Sequence, residues 1–212
     1  MPDMSLEAAI GGVVVGIDEA GRGPLCGPVI VAAVHIPDPL LIDGPLNGVN
    51  DSKRLSTKRR LELRDAIIAN CAVSVGSASP EEIDSLNILQ ATFLAMLRAV
   101  EGLARVPGHV LVDGNRLPQK LPCPGTAIVK GDSKSVSIAA ASIIAKTERD
   151  AIMQRLHLEY PHYGWDKNAG YPTKEHYAAI AEFGITPHHR RSFAGVLSSP
   201  VGACPVQETF PL

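Results

Sequence analysis

The chain has 212 residues, room for one large domain with a sizeable core. Hydrophobic residues make up 45% and aromatics only 4%, so that core must be built from Val, Ile, Leu and Ala. The formal net charge of −2 excludes a global field that draws in nucleic acid or a membrane, so any polyanion has to be held by local clusters.

Val13–Asp18 is a short β-branched run and 28–36 is a second. The AGRGPLCG link between them is rich in Gly and Pro, which predicts a hairpin. Residues 37–50 read as loop. Ser56 caps a predicted helix running to about Asn70, with Leu61, Leu63, Ile67 and Ile68 as its inner stripe. Residues 72–77 form a third strand. Ser79-Pro80-Glu81-Glu82 opens a helix that the pattern carries to about Leu103. His109–Val112 is a fourth strand, ending at Asp113, and 127–129 is a fifth, ending near Asp132. A long Ala/Ile-rich helix fills about 133–157, with Val136, Ala140, Ile143 and Thr147 on one stripe. Residues 160–172 read as loop, 174–183 as a short helix, and the last 14 residues as irregular chain. The expected class is α/β, a mixed sheet covered by helices.

Four acids stand where strands end or helices begin: Asp18 and Glu19 in GIDEAGRGPLCGP, Asp113 in LVDGN, and Asp132 in KGDSKS. Taken singly, each also fits a turn or a helix cap. Acids that converge from distant stretches must take up protons or bind hard cations, which points to Mg²⁺ or Mn²⁺ and a phosphate partner. Asp18 and Glu19 are adjacent and would face opposite sides of a regular strand, so both can serve one centre only if the strand ends or bulges there. Residues 51–64 carry Lys53, Arg54, Lys58, Arg59, Arg60 and Arg64 against Asp51 and Glu62, a local charge of +4. That is a phosphate-binding face or simply a solvated helix. No P-loop, GxGxxG or HExxH pattern occurs. Cys26, Cys71, Cys123 and Cys204 are scattered, without CxxC pairs, and no apolar run approaches bilayer length, so the expectation is a reduced, cytoplasmic protein with no membrane contact. The tail VQETFPL reads as a partner-binding peptide or a frayed terminus.

The set GIDEAGRGPLCGPV, NDSKRLS, VDGN, KGDSKSVSIAAASIIAKTERD, GYPTKEH and HRRSF resembles bacterial ribonuclease HII across about residues 12–195. The resemblance implies one domain of ribonuclease H-like fold, a five-stranded mixed sheet flanked by helices with additional C-terminal helices, and an irregular tail over about 198–212. It implies that Asp18, Glu19, Asp113 and Asp132 are catalytic and hold two Mn²⁺ or Mg²⁺ ions. Gly21, Arg22 and Gly23 would read the ribonucleotide, Tyr171 would support that reading, and Lys53, Ser133 and Ser137 would meet backbone phosphates. The implied substrate is the RNA strand of an RNA–DNA hybrid, including one ribonucleotide embedded in duplex DNA, cut to 5′-phosphate and 3′-hydroxyl ends. The implied protein is a monomer; on the partner-binding reading of the tail, its contact would be a weak one with a replication partner. The sister family, ribonuclease HIII, usually has Glu as fourth acid and an extra N-terminal domain; Asp132 and the short stretch before the first strand favour HII. A metal-dependent phosphatase or nucleotidase would explain the acids but not the basic segment or the glycine loop. A non-catalytic hybrid-binding module would not need the acids.

Overall fold

The structure, a computed structural model, describes residues 1–197. The predicted irregular tail and its partner contact lie outside the described residues. Five strands form one mixed sheet in the order β3-β2-β1-β4-β5: β1 Val14–Ala20, β2 Val29–His35, β3 Ala72–Ala78, β4 His109–Asp113 and β5 Gly125–Ile128. β1, β2 and β3 are antiparallel neighbours, whereas β1, β4 and β5 run parallel. Among the described residues no helix is long and apolar enough to cross a membrane.

β2 is the centre of the packing. Ile30, Ala32 and Val34 face α2 (Thr57–Asn70) and α5 (Val136–Glu159). Val29, Val31 and Ala33 face α3 (Pro80–Leu86) and α4 (Ile88–Glu101). A strand covered on both faces shows no polar alternation, which is why β2 reads as a continuous apolar run. Helix α5 lies directly on β1: a Cβ on Gly16 would sit 2.1 Å from the carbonyl carbon of Ser137. The bare backbone at Gly16, with Ala139, Ala140 and Ala141 fully buried, allows that approach.

Several elements depart from the sequence reading. The helix expected over 79–103 is broken at Asn87, which has φ 68° and caps α4 through its side chain. Leu61 and Ile68 are exposed, at 49% and 47%, and only Leu63 and Ile67 of the expected stripe are buried. Residues 160–172 contain a 3-10 turn, Pro161–Tyr163, and a short helix, α6 (Trp165–Asn168), ahead of α7 (Lys174–Phe183). Helix α5 starts at Val136 with Ser135 as its cap, and Asp132 sits in a separate 3-10 turn, Gly131–Ser133. A further helix, α1 (Ser5–Ile10), precedes β1.

Candidate active site

Register brings the first two acids together. The last paired residues of β1 and β4 are Ile17 and Val112. One step further stand Asp18, still paired with β2, and Asp113, the last residue of β4, on adjacent parallel strands that run about 4.8 Å apart. Asp113 is also held from the next connection, because the Gly131 N–H donates to its Oδ1 at 2.7 Å. That bond fixes the turn carrying Asp132 beside the strand tips. A Cβ on Gly131 would press 2.6 Å from Ile138 Cδ1, so the turn closes only without a side chain there.

Glu19 arrives differently from the expectation. β1 neither ends nor bulges at Asp18; it stays paired with β2 through Ala20. Both carboxylates nonetheless line one cleft of about 300 Å³, together with Gly21, Arg22, Gly23, Lys53 and Tyr171. Glu19 and Arg22 also line a second cleft, about 290 Å³, with Asp113, Gly114, Asn115 and Arg116. Past the β4 pairing the strand edge is open, so acids on its two faces can flank one space.

The electrostatics are those of crowded acids. Burial, then Glu19, then Asp113 push the Asp18 carboxyl well above its ordinary range. Burial also raises Glu19, against the lowering influence of Arg22, whose guanidinium lies 3.2 Å from Glu19 Oε1. Asp132 is raised by burial and then by Asp113, and the Lys53 charge lowers both Glu19 and Asp132. Glu19 Oε2 is buried with no hydrogen-bond partner. A buried, unpartnered carboxylate oxygen is costly, and a hard cation removes the cost. Donors that are all carboxylate suit Mg²⁺ or Mn²⁺. Among the described residues, however, no three His, Cys, Asp or Glu side chains stand ready around one ion. The four acids share a field rather than forming a closed cage.

The glycine loop is shaped by two arginines that the sequence reading did not single out. Arg190, fully buried, donates to the carbonyls of Gly21, Arg22, Pro24 and Gly27. Arg149, 1% exposed, donates to those of Cys26, Pro28 and Ala169. Burial, then the neighbouring Arg149, push Arg190 down to about 9, so it is still a cation at neutral pH. The visible signals were the arginines of KTERD and HRRSF. Ser52 and Ser142 were also missed: their hydroxyls bond at 2.7 Å and tie the Lys53 turn to α5.

Tyr171 is 46% exposed at the cleft and lies against Gly23. Its carbonyl sits 3.0 Å from His176 Nδ1, so that nitrogen carries the proton. His176 Nε2 then accepts from Trp165 Nε1 at 3.1 Å and from His189 Nε2 at 3.2 Å. His189 Nδ1 in turn accepts from the Thr186 N–H. A proton on either ring would put donor against donor.

The two serines expected at phosphates stand in different surroundings. Ser133 is exposed on the Asp132 turn and bonds Lys130. Ser137 is 1% exposed and bonds Glu7, so no phosphate can reach it; the first turn of α5 lies on the sheet instead of opening to solvent. In the basic segment, Arg59, Arg60 and Arg64 pair with Glu62, Asp150, Asp65 and Glu148. Of the six cations there, Lys53 lines the cleft.

A mixed sheet with acids at the tips of β1 and β4 and in the turn after β5 defines a protein of the ribonuclease H-like class. The Ribonuclease HII family model matches residues 15–196. Ribonuclease HII of Rhodospirillum rubrum is 57% identical over 202 residues, covering 92% of this chain and 90% of that one. Ribonuclease HII of Magnetococcus marinus is 55% identical over 203 residues, covering 92% and 93%. The crystal structure of ribonuclease H2 from Pyrococcus horikoshii OT3 superposes with a TM-score of 0.71 at 29% identity, covering 87% of this chain and 95% of that one. The chain belongs to the ribonuclease HII family.

Two outcomes follow for stability. Because the folded Asp18 pKa lies above the ordinary 3.8, the stability its protonated form gives at low pH is lost as pH rises through the folded value. Asp18→Asn should therefore raise stability at pH 7 in EDTA, by on the order of 1–3 kcal/mol, and lose the rise in Tm that Mn²⁺ should give the wild type. A lower Tm in EDTA would refute the buried-charge account. In that Asn background, stability should fall below about pH 6.5, because burial, then His176, hold the folded His189 down to about 3 while the unfolded ring titrates at 6.5. Between pH 7 and 5 the His189 ring should lower the urea-unfolding free energy by about 2 kcal/mol, against the opposite sign contributed by the raised Glu19 and Asp132; a profile no different from that of a folded His189→Asn variant would show that the rings do not stay neutral.

Proposed function

We propose that this chain hydrolyses the RNA strand of RNA–DNA hybrids, including single ribonucleotides embedded in duplex DNA. The observation that carries the reading is the cleft in which Asp18, Glu19, Gly21, Arg22, Gly23, Lys53 and Tyr171 meet. Acids alone would fit many phosphate enzymes. An acidic centre sharing a wall with a glycine loop and an exposed tyrosine fits one that also inspects the sugar.

Asp18, Glu19, Asp113 and Asp132 would hold two Mn²⁺ or Mg²⁺ ions. Bound there, the ions supply activation of the attacking water and charge stabilisation at the phosphate. The protein's own groups do the rest. Lys53 brings positive charge to the cleft wall, where a backbone phosphate gains from it. Only the 2′-hydroxyl separates a ribonucleotide from its deoxy neighbour, and a loop with little side-chain bulk lets backbone groups reach it. Arg149 and Arg190 hold that loop from behind, so its shape exists before substrate arrives. Tyr171 offers a ring to the adjoining sugar, and the His176 bond to its carbonyl holds its backbone in place.

In a gel assay of a duplex with one ribonucleotide, wild type should cut in Mg²⁺ or Mn²⁺ and not in EDTA. Asp113→Asn should lose activity by about 10²-fold or more with the fold intact by circular dichroism. Near-normal cutting by that variant would remove Asp113 from the site. Tyr171→Ala should reduce the preference for an RNA-to-DNA junction over an all-RNA hybrid strand and leave Mn²⁺ affinity unchanged. An intact preference would take Tyr171 out of sugar recognition.

A further inference from the structure

Ahead of the stretch matched by the family model lies an arm whose contacts run to the catalytic turn. The Asp3 N–H donates to the Lys134 carbonyl, and the Val136 N–H donates to the Asp3 carbonyl, a bridge that runs alongside Ser135. Helix α1 then delivers Glu7, 5% exposed, to the first turn of α5. Glu7 Oε1 accepts three hydrogen bonds: from Ser135 Oγ at 2.6 Å, Ser137 Oγ at 2.6 Å and the Ser137 N–H at 3.0 Å. Glu7 Oε2 is buried without a partner. Keeping a carboxylate there has a cost that a purely apolar contact would avoid.

What the acid grips is the C-terminal side of the Asp132 turn. The Lys134 and Ser135 N–H groups donate to the Gly131 carbonyl, and the Gly131 N–H donates to Asp113. A continuous set of bonds thus runs from Glu7 through Ser135 and Gly131 to Asp113, with Asp132 inside it. The carboxylate also sits at the N-terminal end of a 24-residue helix, where free N–H groups and the helix dipole favour negative charge.

We propose that Glu7 is a positioning residue for the metal-holding turn: by clamping Ser135 and Ser137 it sets where Asp132 stands relative to Asp113. The proposal rests on the reading that these two acids hold divalent ions. It also gives Ser135 and Ser137 a role, that of donors to Glu7.

The test is Glu7→Ala and Glu7→Gln in the full chain, with Mn²⁺ affinity measured by calorimetry and amide hydrogen exchange measured across 131–135. Glu7→Ala should weaken Mn²⁺ binding about 10-fold and speed exchange in the turn. KM for the hybrid should hold, and kcat should fall at limiting Mn²⁺ and recover at saturation. Glu7→Gln, which keeps an acceptor oxygen, should recover most of the affinity. Wild-type affinity and exchange in a folded Glu7→Ala protein would overturn the proposal. If Glu7→Ala does not fold, Ser137→Ala decides: it removes one of the three contacts to Glu7, the Ser137 hydroxyl's, and leaves the Ser137 N–H bond and the Ser135 cap, and unchanged affinity and exchange there would overturn it equally. If wild type itself binds no Mn²⁺, the reading of the acids fails. Exchange in the turn then judges the Glu7 clamp separately, and an unchanged rate would overturn it.

Discussion

Everything at this site depends on parallel pairing. β1, β4 and β5 point the same way, so their C-terminal ends lie along one edge of the sheet. Like charges placed there repel one another, and the raised Asp18 carboxyl records that repulsion together with its burial. The fold tolerates the conflict because the positions are enforced from elsewhere. The α4 side buries Val15 and Ile17, α5 lies on the bare backbone at Gly16, and the Gly131 N–H holds Asp113. Packing supplies the free energy that crowding the acids consumes.

The opposite charge is handled by the same economy of burial. Arg149 and Arg190 are buried, yet the bonds that satisfy them go to backbone carbonyls. A carboxylate partner would have neutralised them. Carbonyls satisfy the N–H groups and leave the positive charge in place, a short distance behind a cluster of acids. The cleft therefore has negative groups at its mouth and fixed cations behind the loop, an arrangement that suits a ligand bringing both metal and phosphate.

Much of this was legible in the chain. Strand ends were marked by acids because a strand tip is where an acid can reach solvent or metal, and β-branched runs marked the strands themselves. The glycine loop, Lys53 and Tyr171 were identifiable by motif and do share a cleft. The failures have physical causes. Asn87 breaks a helix by adopting a left-handed φ that periodicity cannot reveal. Ser137 was expected at a phosphate through the family resemblance, which carries no information on burial, and the sheet beneath and Glu7 beside it bury it. Arg149 and Arg190 were not singled out, since nothing local says that an arginine will be enclosed by carbonyls from distant parts of the chain. Glu7 lies outside every motif, and its partners are 128 and 130 residues away.

That last kind of distance has a consequence during synthesis. Gly21 emerges early, but the guanidinium that grips its carbonyl belongs to a residue 169 positions later. A ribosome that has released Asp18, Glu19, Asp113 and Asp132 still holds a chain whose glycine loop lacks the Arg190 bonds that shape it. The shape of that loop is settled only after the acids beside it have been made, so the two walls of the cleft are completed at different times during synthesis.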